Sequence, residues 1–143
     1  MTLIVDAGPL VAYGDGHDPS YPVVDAILRS EPGQLVVPAP VTAEVDHLLR
    51  HRLGAEPARR FAEDIAAGRF EVVCLDREEH QLVADLDRRY ADLGLGLADL
   101  SVVLLAARFD TRRLLTFDER HFRAVEPLHG GTFTLLPADG RDR

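Results

Sequence analysis

Lysine is absent from the chain: all 16 of its basic residues are arginine. Without an ammonium group there is no phosphate lysine of a P-loop and no Schiff-base nucleophile. The lysine that a receiver domain needs beside its acidic pocket is missing too. Cysteine is nearly absent as well. Cys74 alone excludes an internal disulfide framework and a multi-cysteine zinc site, and it fits a reducing, cytoplasmic setting. Long apolar runs are also missing. The longest, Val102 to Ala107, is far short of the roughly 20 residues that cross a bilayer, so no membrane association is expected. The opening MTLIVDAGPL lacks the basic start of an export signal and places Asp6 where its apolar stretch should run. Positive charge is in deficit, 16 basic against 24 acidic residues for a net of −8. That balance argues against binding nucleic acid through a generally basic surface. It leaves room for a nuclease, because carboxylates that hold metal ions count towards the deficit.

What is present is the ordinary mix of one globular domain: 143 residues, 46% hydrophobic and 28% charged. A chain of this size buries roughly 70% of its unfolded surface and needs no staple. Short β-branched runs bounded by turn residues predict strands at 2–5, 34–37, 70–74, 112–117 and 132–136. Helical segments alternate with them. Pro22 lies in the first turn of a helix ending near Ser30, Pro40 opens one that Gly54 closes, and Pro57 opens another ending at Gly68. Asp76 with Glu79 reads as a capping box for a helix reaching Tyr90. A turn at 92–97 leads into an apolar helix at 98–109. Continuous apolar strands alternating with helices predict an α/β domain over residues 1–136, a parallel five-strand sheet covered on both faces. The tail 137–143 reads as polar and frayed.

Four acids stand where the pattern wants something neutral. Asp6 emerges at the C-terminal end of the first strand, where, taken alone, an Asx-turn or helix cap explains it better than a functional role. Glu44 falls in the first turn of the helix after strand two, about 40° from Leu48 on the margin of its apolar stripe, where the helix dipole alone would favour it. Asp99 shares a helix face with Val102, Val103 and Ala106, so its carboxylate points inward and needs a cap, an arginine or a cation. Asp118 ends the run LLTFD and could cap the short helix DERHF. Each local explanation suffices alone. None explains why all four fall at strand C-termini or helix N-termini, where an open α/β sheet forms its ligand crevice. Converging carboxylates about 5 Å apart repel by roughly 3 kcal/mol per pair at an effective dielectric near 20. A cation or raised pKa values must compensate, and hard oxygen donors select Mg²⁺ or Mn²⁺ over zinc.

These residues resemble the PIN-domain ribonucleases, and more closely the VapC-type toxins of bacterial toxin–antitoxin pairs. The resemblance is carried by LIVDAGPLVAY, VTAEV, YADLGLGLADLSVVLLAAR, LLTFDERHF and FTLLP, and so spans nearly the whole chain. It implies the strand order 3-2-1-4-5 and divalent-metal binding by Asp6, Glu44, Asp99 and Asp118. Thr116, and Ser101 with it, would donate hydrogen bonds to those ligands, and Asp92 is a reserve ligand. The resemblance also implies RNA cleavage leaving a 5′-phosphate and a 3′-hydroxyl, a cognate antitoxin and a homodimer. Arg112, Arg113, Arg120 and Arg123, near the final acid, are candidates for gripping RNA phosphates.

Other signals fall away. His47 and His51 have the spacing of two zinc ligands, but HLLRH lacks the glutamate of a metalloprotease helix. Gly94 and Gly96 follow a helix and turn rather than a strand, so they shape the start of the Asp99 helix and are no dinucleotide fingerprint. A phosphatase of the haloacid dehalogenase type needs a second aspartate at position 8, which is glycine. Two alternatives remain: a non-catalytic interaction module whose acids are caps, and a metal-dependent phosphatase of small esters.

Overall fold

The computed structural model describes residues 1–140. Five parallel strands, β1 (Thr2–Val5), β2 (Gln34–Pro38), β3 (Glu71–Val73), β4 (Arg113–Leu115) and β5 (Thr134–Leu136), form one sheet in the order β3-β2-β1-β4-β5. Ile4 of the central strand lies opposite Val36 on one side and Leu114 on the other. Leu3, Ile4, Val5, Val36, Val37, Leu114, Leu115 and Leu135 have no exposed surface, as expected of strands covered on both faces.

The helices are α1 (Ala7–Tyr13), α2 (Tyr21–Ser30), α3 (Ala39–Leu53), α4 (Ala55–Ala66), α5 (Arg77–Arg89), α6 (Leu97–Arg108) and α7 (Glu119–Ala124). The chain moves outward from β1 to β3 and then crosses back to β4. Right-handed crossovers therefore place helices on both faces and open a switch point between β1 and β4. The helix α6 lies deepest, with every residue from Leu100 to Ala106 buried. At the start of α5 both halves of the capping box form: Asp76 accepts from the Glu79 amide at 2.8 Å, and Glu79 accepts from the Asp76 amide at 3.0 Å. Gly94, at φ 64°, ends a one-turn 3₁₀ helix in the left-handed region, and Gly96 is the N-cap of α6.

Several expectations need correction. A helix not among those expected, α1, begins at once after Asp6 and takes Pro9 in its first turn, where a proline forfeits only an amide that has no partner there. The helix α3 starts at Ala39, which moves Glu44 into the second turn, where the dipole no longer explains it. The tail is not frayed up to residue 140. Ala138–Gly140 form a one-turn 3₁₀ helix, and Asp139 accepts from the Leu135 amide at 2.8 Å while pairing with Arg123 at 2.7 Å. Residues 141–143 lie outside the described region. Among the described residues no helix is long and apolar enough to cross a membrane.

Candidate metal centre

The site lies at the C-terminal end of the sheet, across the switch point. One residue past β1, the Asp6 amide donates to the Leu115 carbonyl at 2.9 Å. One residue past β4, the Thr116 amide donates to the Leu136 carbonyl at 2.9 Å. These bonds extend the ladder and fix both backbones. The Thr116 hydroxyl then donates to Asp6 Oδ2 at 2.7 Å and accepts from the Asp118 amide at 3.0 Å. A single buried hydroxyl thus ties the acid after the first strand to the acid after the fourth. Asp6 stands at the N-cap position of α1, yet its side chain makes no capping bond to the helix.

Asp118 does cap α7, accepting from the His121 amide at 3.1 Å through Oδ1. Its Oδ2 lies 2.7 Å from His121 Nδ1. Asp99 is the third residue of α6, half-buried, and packing of α3 against α6 sets Glu44 beside it. Asp6, Glu44, Asp99 and Asp118 all line one open cleft with Ala7, Gly8 and Phe117. The four acids come together here. One ligand atom each from Asp99, Asp118 and His121 can lie within 4.8 Å of one another. His121 is absent from the sequence-based set. Its signal was the Asp-x-x-His spacing, which puts both side chains on one side of a helical turn.

The electrostatics record the strain of this arrangement. Burial raises the Asp6 carboxyl to about 6, with the charges of Asp99 and Glu44 adding to the rise and the Thr116 hydroxyl opposing it. Burial also raises Glu44, with the charge of Asp99 adding to it. Asp99 is raised by burial and by Asp118, while the Gly96 backbone N–H and His121 pull the other way. None of the four acids forms an ion pair with an arginine among the described residues. Clustered carboxylates with one imidazole, and no arginine among them, are a donor set that fits a hard divalent ion.

The remaining candidates fall elsewhere. Ser101 is buried in α6, and its hydroxyl donates to the Leu97 carbonyl of its own helix at 2.6 Å instead of to a site carboxylate. Asp92 sits exposed in the 3₁₀ turn Ala91–Leu93, outside the cleft lining. Three of the four arginines are committed to structure. Arg112 donates to the His129 and Gly130 carbonyls, Arg113 grips Glu31, and Arg123 pairs with Glu119 and Asp139. Arg120 is exposed and forms no ion pair among the described residues.

A parallel sheet in the order 3-2-1-4-5, with an acidic cluster at its switch point, defines an α/β domain with a candidate metal site. The model of the PIN domain matches residues 3–127. The chain is 36% identical over 135 residues to Ribonuclease VapC26 of Mycobacterium tuberculosis, an alignment covering 94% of this chain and all of that protein. Among solved structures it superposes on Mycobacterium tuberculosis VapC20, a toxin that cleaves the sarcin-ricin loop. The TM-score there is 0.76 at 17% identity, over 82% of this chain and 91% of that one. It also superposes on Rickettsia felis VapBC2 bound to a promoter DNA fragment, with a TM-score of 0.67 at 17% identity, over 94% and 97% of the two chains. This chain belongs to the PIN domain family, as a homologue of the VapC ribonuclease toxins.

Proposed function

We propose that the chain is a metal-dependent endoribonuclease and the toxin of a toxin–antitoxin pair, with Asp6, Glu44, Asp99 and Asp118 as its metal-binding acids. The observation that carries this reading is the convergence of four carboxylates, three with raised pKa values, on one cleft without a compensating arginine. When bound there, Mg²⁺ or Mn²⁺ lowers the pKa of a water and neutralises charge on the leaving oxygen. The protein supplies the geometry. Thr116 holds Asp6 and the Asp118 backbone in fixed relation, and the cap on α7 aims Asp118. His121 orients Asp118 through Nδ1. Of the four candidate arginines, Arg120 is the one that is exposed and outside any ion pair among the described residues, and so left to meet an RNA phosphate. The expected products carry a 5′-phosphate and a 3′-hydroxyl.

The same acids suit inhibition by a VapB-type antitoxin. A short partner inserting an arginine or lysine among the carboxylates would supply the missing positive charge while an apolar segment packs alongside. A homodimer completes the expected assembly. The nuclease reading is tested by incubating purified protein with an RNA oligonucleotide in Mg²⁺. Cleavage that disappears with EDTA and in Asp99→Asn is expected. Hydrolysis of a generic phosphomonoester without RNA cleavage would place the protein among the phosphatases. Absence of any Mg²⁺ or Mn²⁺ binding by calorimetry would favour a non-catalytic module.

A further inference from the structure

Phe117 is the one aromatic side chain lining the acidic cleft, and it is 42% exposed. A single exposed phenylalanine is ordinary on a protein surface. Its setting is not. The residues on either side are held by the site itself, Thr116 through Asp6 and Asp118 through His121, so the backbone that carries the ring is fixed. The ring rests against Gly8 in the first turn of α1. A Cβ there would lie 3.1 Å from Phe117 Cδ2, so glycine leaves the ring a seat on bare backbone. The ring also borders a hollow of about 390 Å³ lined by Val23, Pro137 and Ala138 together with Ser20, Thr116 and Glu119. Phe117 thus borders both a charged cleft and a more apolar hollow. That is the layout of a nucleotide, with a phosphate on one side and a flat, uncharged base on the other.

Charge makes the same point. With a net of −8, no described arginine lining the cleft and three of the four candidate arginines tied into the fold, attraction for the phosphate backbone is a weak source of affinity here. Stacking does not depend on it. We propose that Phe117 stacks on an unpaired RNA base flanking the scissile phosphate, an inference that rests on the nuclease reading. An aromatic platform of this kind tolerates any base and requires a single-stranded target.

The chain has no tryptophan, so Phe117→Trp installs a single fluorescent reporter at the proposed contact. In the Phe117→Trp/Asp99→Asn double variant, titration with a single-stranded RNA oligonucleotide in Mg²⁺ is expected to quench the emission. An oligonucleotide of the same length with abasic positions is expected not to. In the cleaving protein, Phe117→Ala should raise KM about tenfold with a much smaller change in kcat, and Phe117→Trp should restore KM. An unchanged KM in Phe117→Ala, or equal quenching by the abasic strand, overturns the proposal. Quenching by an apolar peptide carrying one arginine, with none by RNA, also overturns it and assigns the ring to a protein partner. A wild-type protein that cleaves no RNA counts against the nuclease reading, and the fluorescence titration still decides the stacking.

Discussion

At the N-terminal end of the sheet Glu31 is gripped by both terminal nitrogens of Arg113, at 3.0 and 2.7 Å, whereas at the C-terminal end Asp6, Glu44 and Asp99 face one another with no arginine among them. The pKa directions follow. Arg113 holds Glu31 below the usual carboxylate range, and burial with mutual repulsion pushes the three acids of the cleft above it. The N-terminal end is finished in the same spirit. The Thr111 hydroxyl donates to the Thr2 carbonyl at 2.7 Å, and Arg112 satisfies two loop carbonyls. One end of the sheet is closed electrostatically and serves stability. The other is left open to a positive charge from outside.

Neutralising the open end should produce the largest effect. Asp6→Asn, Asp99→Asn and Asp118→Asn are each expected to lower RNA cleavage at least about a hundredfold, because each removes a ligand charge without changing volume. Circular dichroism should find all three folded, since asparagine at 118 can still cap α7.

The pH dependence of stability should distinguish the two ends by sign. Asp6 titrates near 6 in the folded protein, above its unfolded value of 3.8, so protonation favours the folded state. The metal-free fold therefore gains about 2–3 kcal/mol from this group as pH falls from 7 to 4, and loses it as pH rises through 6. Glu31 runs the other way: its lowered pKa contributes stability above its unfolded value of 4.5 that is lost as pH falls through the folded one. Urea unfolding of wild type and Asp6→Asn across pH 4–7 isolates the Asp6 contribution as their difference. A pH-independent difference would show that Asp6 is not raised.

Direct removal of partners sharpens the contrast. The Glu31 side chain is only 2% exposed, so Arg113→Ala strands a charge and should cost about 2 kcal/mol in denaturant unfolding. Asp99→Asn, measured the same way without metal, should leave stability unchanged or raised, because it relieves repulsion. A loss of more than about 2 kcal/mol in Asp99→Asn would make Asp99 chiefly a structural cap. The smallest effect is expected at His121. His121→Ala should weaken Mn²⁺ binding about tenfold in calorimetry, the scale of losing a residue that orients a ligand.

The strands were legible because β1, β2 and β4 are short continuous apolar runs, their order only through the family resemblance, and the capping box at Asp76 and the glycines before α6 mark their helices plainly. The four acids were legible by position, at the ends of strands and the starts of helices. Thr116 was legible only through family resemblance, since nothing in LLTFD says that its hydroxyl reaches Asp6 110 residues away. His121 was overlooked because DERHF reads as an ordinary short helix, and its relation to Asp118 appears only once the turn is built. The arginines misled for the opposite reason. Arg112, Arg113 and Arg123 lie near Asp118 in sequence, but Arg113 opens β4 at the far end of the sheet, Arg112 binds carbonyls of the segment before β5, and Arg123 pairs with Glu119 of its own helix and with Asp139 after β5. Ser101 likewise sits two residues from Asp99, yet helix geometry turns it back to Leu97.

The open, charge-repelling end of the sheet is tested most directly by the melting temperature of the metal-free protein as Mn²⁺ is added at pH 7.5. Wild type should melt progressively higher with concentration, as binding to the folded state alone requires, and Asp99→Asn should shift little. Equal shifts in the two proteins, or none in wild type, would contradict a metal site built from these carboxylates.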